Sequence, residues 1–423
     1  MNKIKLSNQI KEIMHIIIDS NYECYLVGGT VRDNLLNIEN KDYDFATNIP
    51  FDKLKEKIPA LVVMKENNHR NTAILKKDNH DYEFSLFKGK DIYEDLSNRD
   101  FKMNALAVDL NGNIMDPYNG LTDIENKEIN LIKPNGEGLI YDPLRILRGI
   151  RLKNQCNFKI TEETREEFLK KSNLLKKIAP ERIVEELKMI LVSDSIEEDL
   201  LTYKEVFFAL IPELIKCDGF DQHNDYHIYD VYTHIVKTVA NTENNYYLRL
   251  AALFHDIGKP SNFKLDEKEI GHFLGHVETS LKIFNKFSVK YKLDNKTKKI
   301  VSNLIKYHED ELSIKPNKIF DFYKKYNMNN IELLFSLKRA DIKAQNPKYL
   351  DRLNGLKEVE KEYLKVRSNL KEITYNGNDL LKLGIKNQEI GHILEDIKRN
   401  IINKTIENNY RSINKYVKNK YIL

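Results

Sequence analysis

Leu6, Ile10, Ile13, Met14 and Ile17 recur at the three- and four-residue spacing that gives a helix one apolar face. Residues 24–27 form a short apolar run that stops at Gly28-Gly29, as a strand does before a turn. A helix is expected at 31–36 and a strand at 42–47. Runs rich in β-branched and aromatic residues at 61–64, 72–75 and 82–87 read as further strands. Residues 105–110 and 113–116 flank Asn111-Gly112, a hairpin turn signal. Beyond about residue 137 the strand pattern ends. Residues 142–153, 162–171 and 180–192 carry helical periodicity, the last opening on Pro180, whose fixed φ suits a first turn. From Val231 onward nearly every segment reads as amphipathic helix, and no repeat unit recurs. The expected fold class is α+β: a mixed sheet with helices at the N-terminal end, then an all-α remainder.

At 423 residues the chain is too long for one ordinary core, so roughly two to four domains are expected. Hydrophobic residues make up 41% and charged residues 31%, which excludes a disordered chain. Lys and Arg total 68 against 64 Asp and Glu. The formal charge of +4 excludes a histone-like polycation and leaves nucleic-acid binding to local basic clusters. Cys24, Cys156 and Cys217 form no CxxC pair, which argues against a disulfide framework and for a reducing compartment. The apolar run at 13–18 contains His15 and precedes Asp19, unlike a signal peptide. No segment reaches the ~18 apolar residues of a membrane span. A cytoplasmic location is expected.

The chemistry concentrates between Leu26 and Asp44. Gly28 and Gly29 sit between a strand and a helix, where backbone N–H groups approach a phosphate with no Cβ in the way. Arg32 follows one helical turn later and reaches the same anion. Asp42 and Asp44 alternate along a strand, so both carboxylates share a face. Paired carboxylates beside a phosphate cradle are the protein half of a two-metal phosphoryl-transfer site, and Glu83 is a candidate third carboxylate. Alone, Gly-Gly is a turn and Asp-x-Asp a solvated strand edge; their joint occurrence is the specific signal. Neither GxxxxGK[ST] nor GxGxxG occurs, which argues against P-loop and Rossmann sites.

This run resembles the signature of class II tRNA nucleotidyltransferases and bacterial poly(A) polymerases, of the polymerase-β-like superfamily. Further pieces resemble the family's motifs in order. They are NRDF at 98–101 with MNAL at 103–106, DPYNG at 116–120, YDPLRILRGIR at 141–151, and PERI at 180–183 with Glu186-Leu187. The resemblance implies a nucleotidyltransferase head at 1–136 and a helical neck at 137–215. It implies Mg²⁺ on Asp42 and Asp44, CTP and ATP as substrates, and the tRNA 3′ end as acceptor. Gly28, Gly29, Arg32, Arg99, Asp100 and Asn104 would bind nucleotide, Arg99 at phosphate and Asp100 at ribose. Asp142 and Arg145, expected on one helix, would read the Watson–Crick edge of the incoming base, with Arg148 and Arg151 on triphosphate.

Three departures stand out. Tyr141 replaces the family's glutamate, so Arg145 needs another orienting group. Asn98 replaces an arginine. Only residues 88–98 join the Glu83 strand to Arg99, where full CCA-adding relatives carry a longer loop. That shortness keeps a CC-adding enzyme open as an alternative, along with a poly(A) polymerase.

A second constellation lies downstream. His234, His255-Asp256 before Gly258, and Asp341 resemble the metal set of an HD phosphohydrolase domain, with His276 and His308 at accessory positions. A second divalent metal is implied, in a domain at 216–345. An HD phosphohydrolase with an RNA-binding head is therefore a further alternative. A helical, tRNA-binding tail is expected at 346–423, within which residues 373–406 resemble the segment that ends many of these nucleotidyltransferases near the tRNA. The tail's Lys382, Lys386, Lys398, Arg399, Lys404, Arg411, Lys415, Lys418 and Lys420 suit a phosphate backbone.

Overall fold

The computed structural model describes residues 3–39, 42–65, 71–326 and 330–422. They form two compact units, Met1–Ile190 and Leu191–Leu423.

The first unit is built on strands β1 (Cys24–Val27), β2 (Asp42–Thr47), β3 (Val62–Lys65), β4 (Asn71–Lys77), β5 (His80–Leu86), β6 (Ala107–Val108) and β7 (Ile114–Met115). Among the described residues these form one sheet in the order β3-β4-β5-β2-β1-β6-β7. β2 and β5 are parallel, and the other neighbours are antiparallel. Successive residues Leu26 and Val27, and Phe45 and Ala46, fall into different apolar clusters. The centre of the sheet is therefore buried on both faces, which is why these strands read as apolar runs. Helix Asn8–Ile18 covers one face with Ile10, Ile13, Met14 and Ile17. Helix Ile92–Ser97 packs Ile92 and Leu96 against the other cluster.

Two expectations about this unit are corrected. Asp142 does not begin the neck helix. It ends the short helix Glu137–Tyr141 at φ −137° and ψ 87°, and the next helix runs Arg145–Cys156. The cause is Pro143, whose ring disfavours helical backbone at the preceding residue. Strands also continue past residue 137: β8 (Glu128–Ile129) pairs in parallel with β9 (Lys159–Ile160). Two-residue strands carry no periodicity to read.

The second unit is mainly helical, with one small antiparallel hairpin, β10 (Lys264–Leu265) and β11 (Gly271–His272), within the stretch expected to be nearly all helix. Helices Val231–Ala240, Tyr246–Phe254, His276–Lys290, Asn295–Tyr307 and Ile331–Lys343 carry the histidine constellation. A separate apolar cluster at the C-terminal end joins Tyr375, Leu380, Ile393, Ile397, Ile413 and Val417. No helix among the described residues is long and apolar enough to cross a membrane.

Candidate functional site

In the first unit the site is assembled around the turn after β1. Gly28 has φ +66°, open to glycine at little cost, and a Cβ there would stand 2.5 Å from Arg99 Nη1 and 3.8 Å from Asp44 Oδ2. The missing side chain is what lets the arginine and the carboxylate converge. Helix Gly29–Leu35 ties this turn to β2: Thr30 Oγ1 accepts from Asp44 N at 2.8 Å and donates to Asp42 O at 3.2 Å.

Asp44 lies directly across the parallel β2–β5 ladder from Glu83. Burial, then the Glu83 charge, push the Asp44 carboxyl up to about 6, against partial relief from Arg99. Glu83 and Asp42 both act on Asp44 as like charges, a repulsion that a bound divalent cation would relieve, although the three carboxylates do not bring their oxygens into one ligand-sized group as the histidine constellation does.

A chain of polar contacts continues inward. Arg32, 8% exposed, pairs with Asp33 and donates from Nη1 to Asn104 Oδ1 at 2.7 Å. Asn104 Nδ2 donates to Asp100 Oδ1 at 2.9 Å, and Arg148 Nη2 lies 3.0 Å from Asp100 Oδ2. Burial opposes the Asp100 charge, but Arg148 and the Asn104 amide outweigh it, and the carboxyl falls to about 2. Arg99 is held by Asp95 through Nε at 3.1 Å and Nη2 at 2.9 Å.

The helix Arg145–Cys156 presents its three arginines to different partners. Arg145 Nη2 donates to the Asn98 carbonyl at 2.6 Å. Arg148 faces Asp100, and Arg151 donates to Glu186 Oε2 and Gln155 Oε1, both at 2.6 Å. The arginine stripe is thus partly neutralised by the protein's own acceptors. Asp142 Oδ2 receives Arg182 Nη2 at 3.3 Å, while Oδ1 is buried with no hydrogen-bond partner.

In the second unit, His234, His255, Asp256, His276, His308 and Asp341 do converge. His234 Nε2 lies 3.2 Å from Asp256 and 3.1 Å from Asp341; His255 and His276 Nε2 lie 3.2 and 3.3 Å from Asp256. Nδ1 of His234, His255, His276 and His308 lies 3.3, 2.7, 2.9 and 2.7 Å from a backbone carbonyl oxygen. A ring that donates from Nδ1 turns an Nε2 lone pair toward carboxylates, an arrangement that calls for a metal or a proton. Burial disfavours charge on His234, yet Asp256 and Asp341 outweigh it and raise its pKa to about 9. The donor set fits a divalent cation.

His227, which sequence reasoning missed, joins His234 and Asp256 in one ligand-sized group. Burial, then Lys259, lower its pKa to about 3, so it stands as a neutral donor. Lys259 Nζ lies 2.7 Å from Asp256 Oδ2 and 3.3 Å from His227 Nε2. Of the C-terminal cations, Lys398 and Arg399 lie over the Tyr323 and Phe320 rings and Lys420 pairs with Asp396.

Three family models match the chain. They are the poly(A) polymerase head domain at residues 24–130, the probable RNA- and SrmB-binding site of polymerase A at 157–217, and the HD domain at 224–344. The CCA-adding enzyme of Staphylococcus epidermidis is 27% identical across 96% of this chain and 94% of its own length. That of Enterococcus faecalis is 33% identical across 45% of this chain and 52% of its own. Among solved structures, the Bacillus stearothermophilus CCA-adding enzyme in complex with CTP has a TM-score of 0.66 at 21% identity, covering 97% of this chain and 96% of that one. The Thermotoga maritima CCA-adding enzyme complexed with tRNA has a TM-score of 0.65 at 18% identity, covering 99% and 98%. At these identities the structural likeness speaks for the fold.

Proposed function

We infer that this chain, which belongs to the tRNA nucleotidyltransferase and bacterial poly(A) polymerase family, adds C and A to tRNA 3′ ends from CTP and ATP without a nucleic-acid template. The observation that carries the reading is the convergence of Asp44 and Arg99 on the Gly28 turn, with Glu83 across the β2–β5 ladder from Asp44. A divalent cation, Mg²⁺ on this reading, neutralises triphosphate charge and lowers the pKa of the primer 3′-hydroxyl when bound.

The chain's own groups do the rest. Asp42 and Asp44, with Glu83 beside them, hold the cation. Gly28 and Gly29 leave room for phosphate oxygens, and Arg32, Arg99, Arg148 and Arg151 supply positive charge around them. Asp100 and Asn104 keep Arg32 and Arg148 in register and leave the ribose side polar. Asp142 accepts from the exocyclic amine of C or A, and Arg145 donates to a ring acceptor. U and G present a carbonyl where Asp142 needs a donor. The second unit holds another divalent cation through His234, His255, Asp256 and Asp341, with His276 and His308 completing the pocket and phosphohydrolase chemistry available to it. The C-terminal lysines contact the tRNA backbone, and the protein works in the cytoplasm.

The short 88–98 connection favours a second reading, addition of CC alone. Helix Ile92–Ser97 is capped by Asp91, and Asp95 and Asn98 fold the ends together, leaving little chain for a mobile lever.

The test replaces Asp42 or Asp44 by alanine and follows labelled CTP and ATP incorporation into tRNA lacking its 3′ end. Loss of incorporation with tRNA binding retained is expected. Incorporation at the wild-type rate by either variant contradicts the metal assignment.

A further inference from the structure

We propose that Arg182 and the backbone carbonyl of Asn98 are the positioning groups of the base-reading pair Asp142 and Arg145, and so set which nucleotide the chain accepts. The inference rests on the assignment of base reading to that pair.

An Asp and an Arg that discriminate bases must hold their free edges in place, because a base differs from its competitor by single donors and acceptors. Neither residue of this pair is held by helix geometry alone. Asp142 lies in the break before Pro143. Tyr141, standing where the family has a glutamate, is 77% exposed and offers Arg145 no carboxylate.

The contacts come from elsewhere. Arg182 reaches Asp142 Oδ2 at 3.3 Å and leaves Oδ1 buried and without a partner, the state of an acceptor that waits for a donor. Arg182 and Glu186 are four residues apart on helix Pro180–Leu191 and share a face. Glu186 takes Arg151, so this one face grips both ends of the 142–151 segment.

Arg145 is held by a different partner. Its Nη2 donates to Asn98 O at 2.6 Å, and its Nη1 lies 2.5 Å from where a Cβ on Gly138 would stand. Asn98 is itself fixed: Nδ2 donates to Lys88 O at 3.0 Å and Glu94 O at 2.9 Å. A single carbonyl occupies part of the guanidinium and leaves further N–H groups for a base. The closed 88–98 connection therefore supplies the orienting acceptor that residue 141 lacks.

Arg182 is 38% exposed at its side chain, and an ion pair that open to water contributes little to stability. Its role should appear in selectivity. The experiment measures kcat/KM for CTP and UTP on tRNA lacking CCA and for ATP and GTP on tRNA ending in CC, together with Tm, in the full chain and its Arg182→Gln, Arg182→Lys and Asp142→Ala variants. Arg182→Gln should lower C-over-U and A-over-G discrimination about ten-fold with Tm nearly unchanged, and Arg182→Lys should recover most of it. Wild-type discrimination in Arg182→Gln overturns the proposal. Asp142→Ala separates the two levels: if it too discriminates normally, base reading lies elsewhere and the underlying assignment has failed. Should Arg182→Gln not fold, Gly138→Ala, which pushes Arg145 off the Asn98 carbonyl, is read in its place. Unchanged discrimination there overturns the proposal equally.

Discussion

Asp44 and Glu83 face each other on parallel strands, and burial adds to their repulsion. With a folded pKa of about 6, above the usual value of 3.8, Asp44 binds more protons folded than unfolded between those two values. Metal-free protein therefore loses stability as pH rises from about 4 to about 6 and regains none of it above. Asp44→Asn removes the charge without changing the shape. In EDTA at neutral pH it should stabilise the chain by about 1–2 kcal/mol, after discounting for solvent screening, and flatten that pH dependence in urea titrations. The same variant should lose nucleotide addition by on the order of 10³-fold. An Asp44→Asn protein less stable than wild type in EDTA would mean that the carboxylate is held by its surroundings rather than strained by them. The residues legible in sequence were those whose chemistry is written in local spacing: Gly28-Gly29, Asp42 and Asp44, His255-Asp256. Arg182 and His227 were not legible as site residues, because the first acts through a contact 40 positions away and the second is a lone histidine without a motif.

At the scale of elements, the strands of the head were readable because burial on both faces leaves apolar runs. The break at Asp142 was signalled by Pro143 but overridden by the helical spacing of the arginines that follow. Strand β9 is too short to show a period. The histidine pocket belongs to this scale as well, since helices Val231–Ala240, Tyr246–Phe254, His276–Lys290, Asn295–Tyr307 and Ile331–Lys343 each bring a donor within or at the end of their span. Replacing His255 and Asp256 together by alanine should abolish stoichiometric metal binding in the second unit, measured by elemental analysis of protein that also carries Asp44→Asn. With an otherwise wild-type head, the double variant should add nucleotides within about two-fold of the normal rate, as independent sites do. Full loss of addition would show that the second unit takes part in the reaction.

For the whole molecule, three family models succeed one another along the chain, and the Staphylococcus epidermidis CCA-adding enzyme aligns over nearly its full length. The order of segments was legible from motifs; their grouping into two compact units was not, because the helical periodicity of residues 180–192 continues across the boundary after Ile190. The central claim is that a protein surface, without a nucleic-acid template, writes a defined sequence onto tRNA. Its most direct test incubates tRNA transcripts lacking the 3′ terminus with all four nucleoside triphosphates and Mg²⁺, then sequences the 3′ ends. The account predicts products that end in CCA, with neither U nor G incorporated and no extension past the A. Tracts of A, products halted at CC, or ends that follow nucleotide abundance would contradict it.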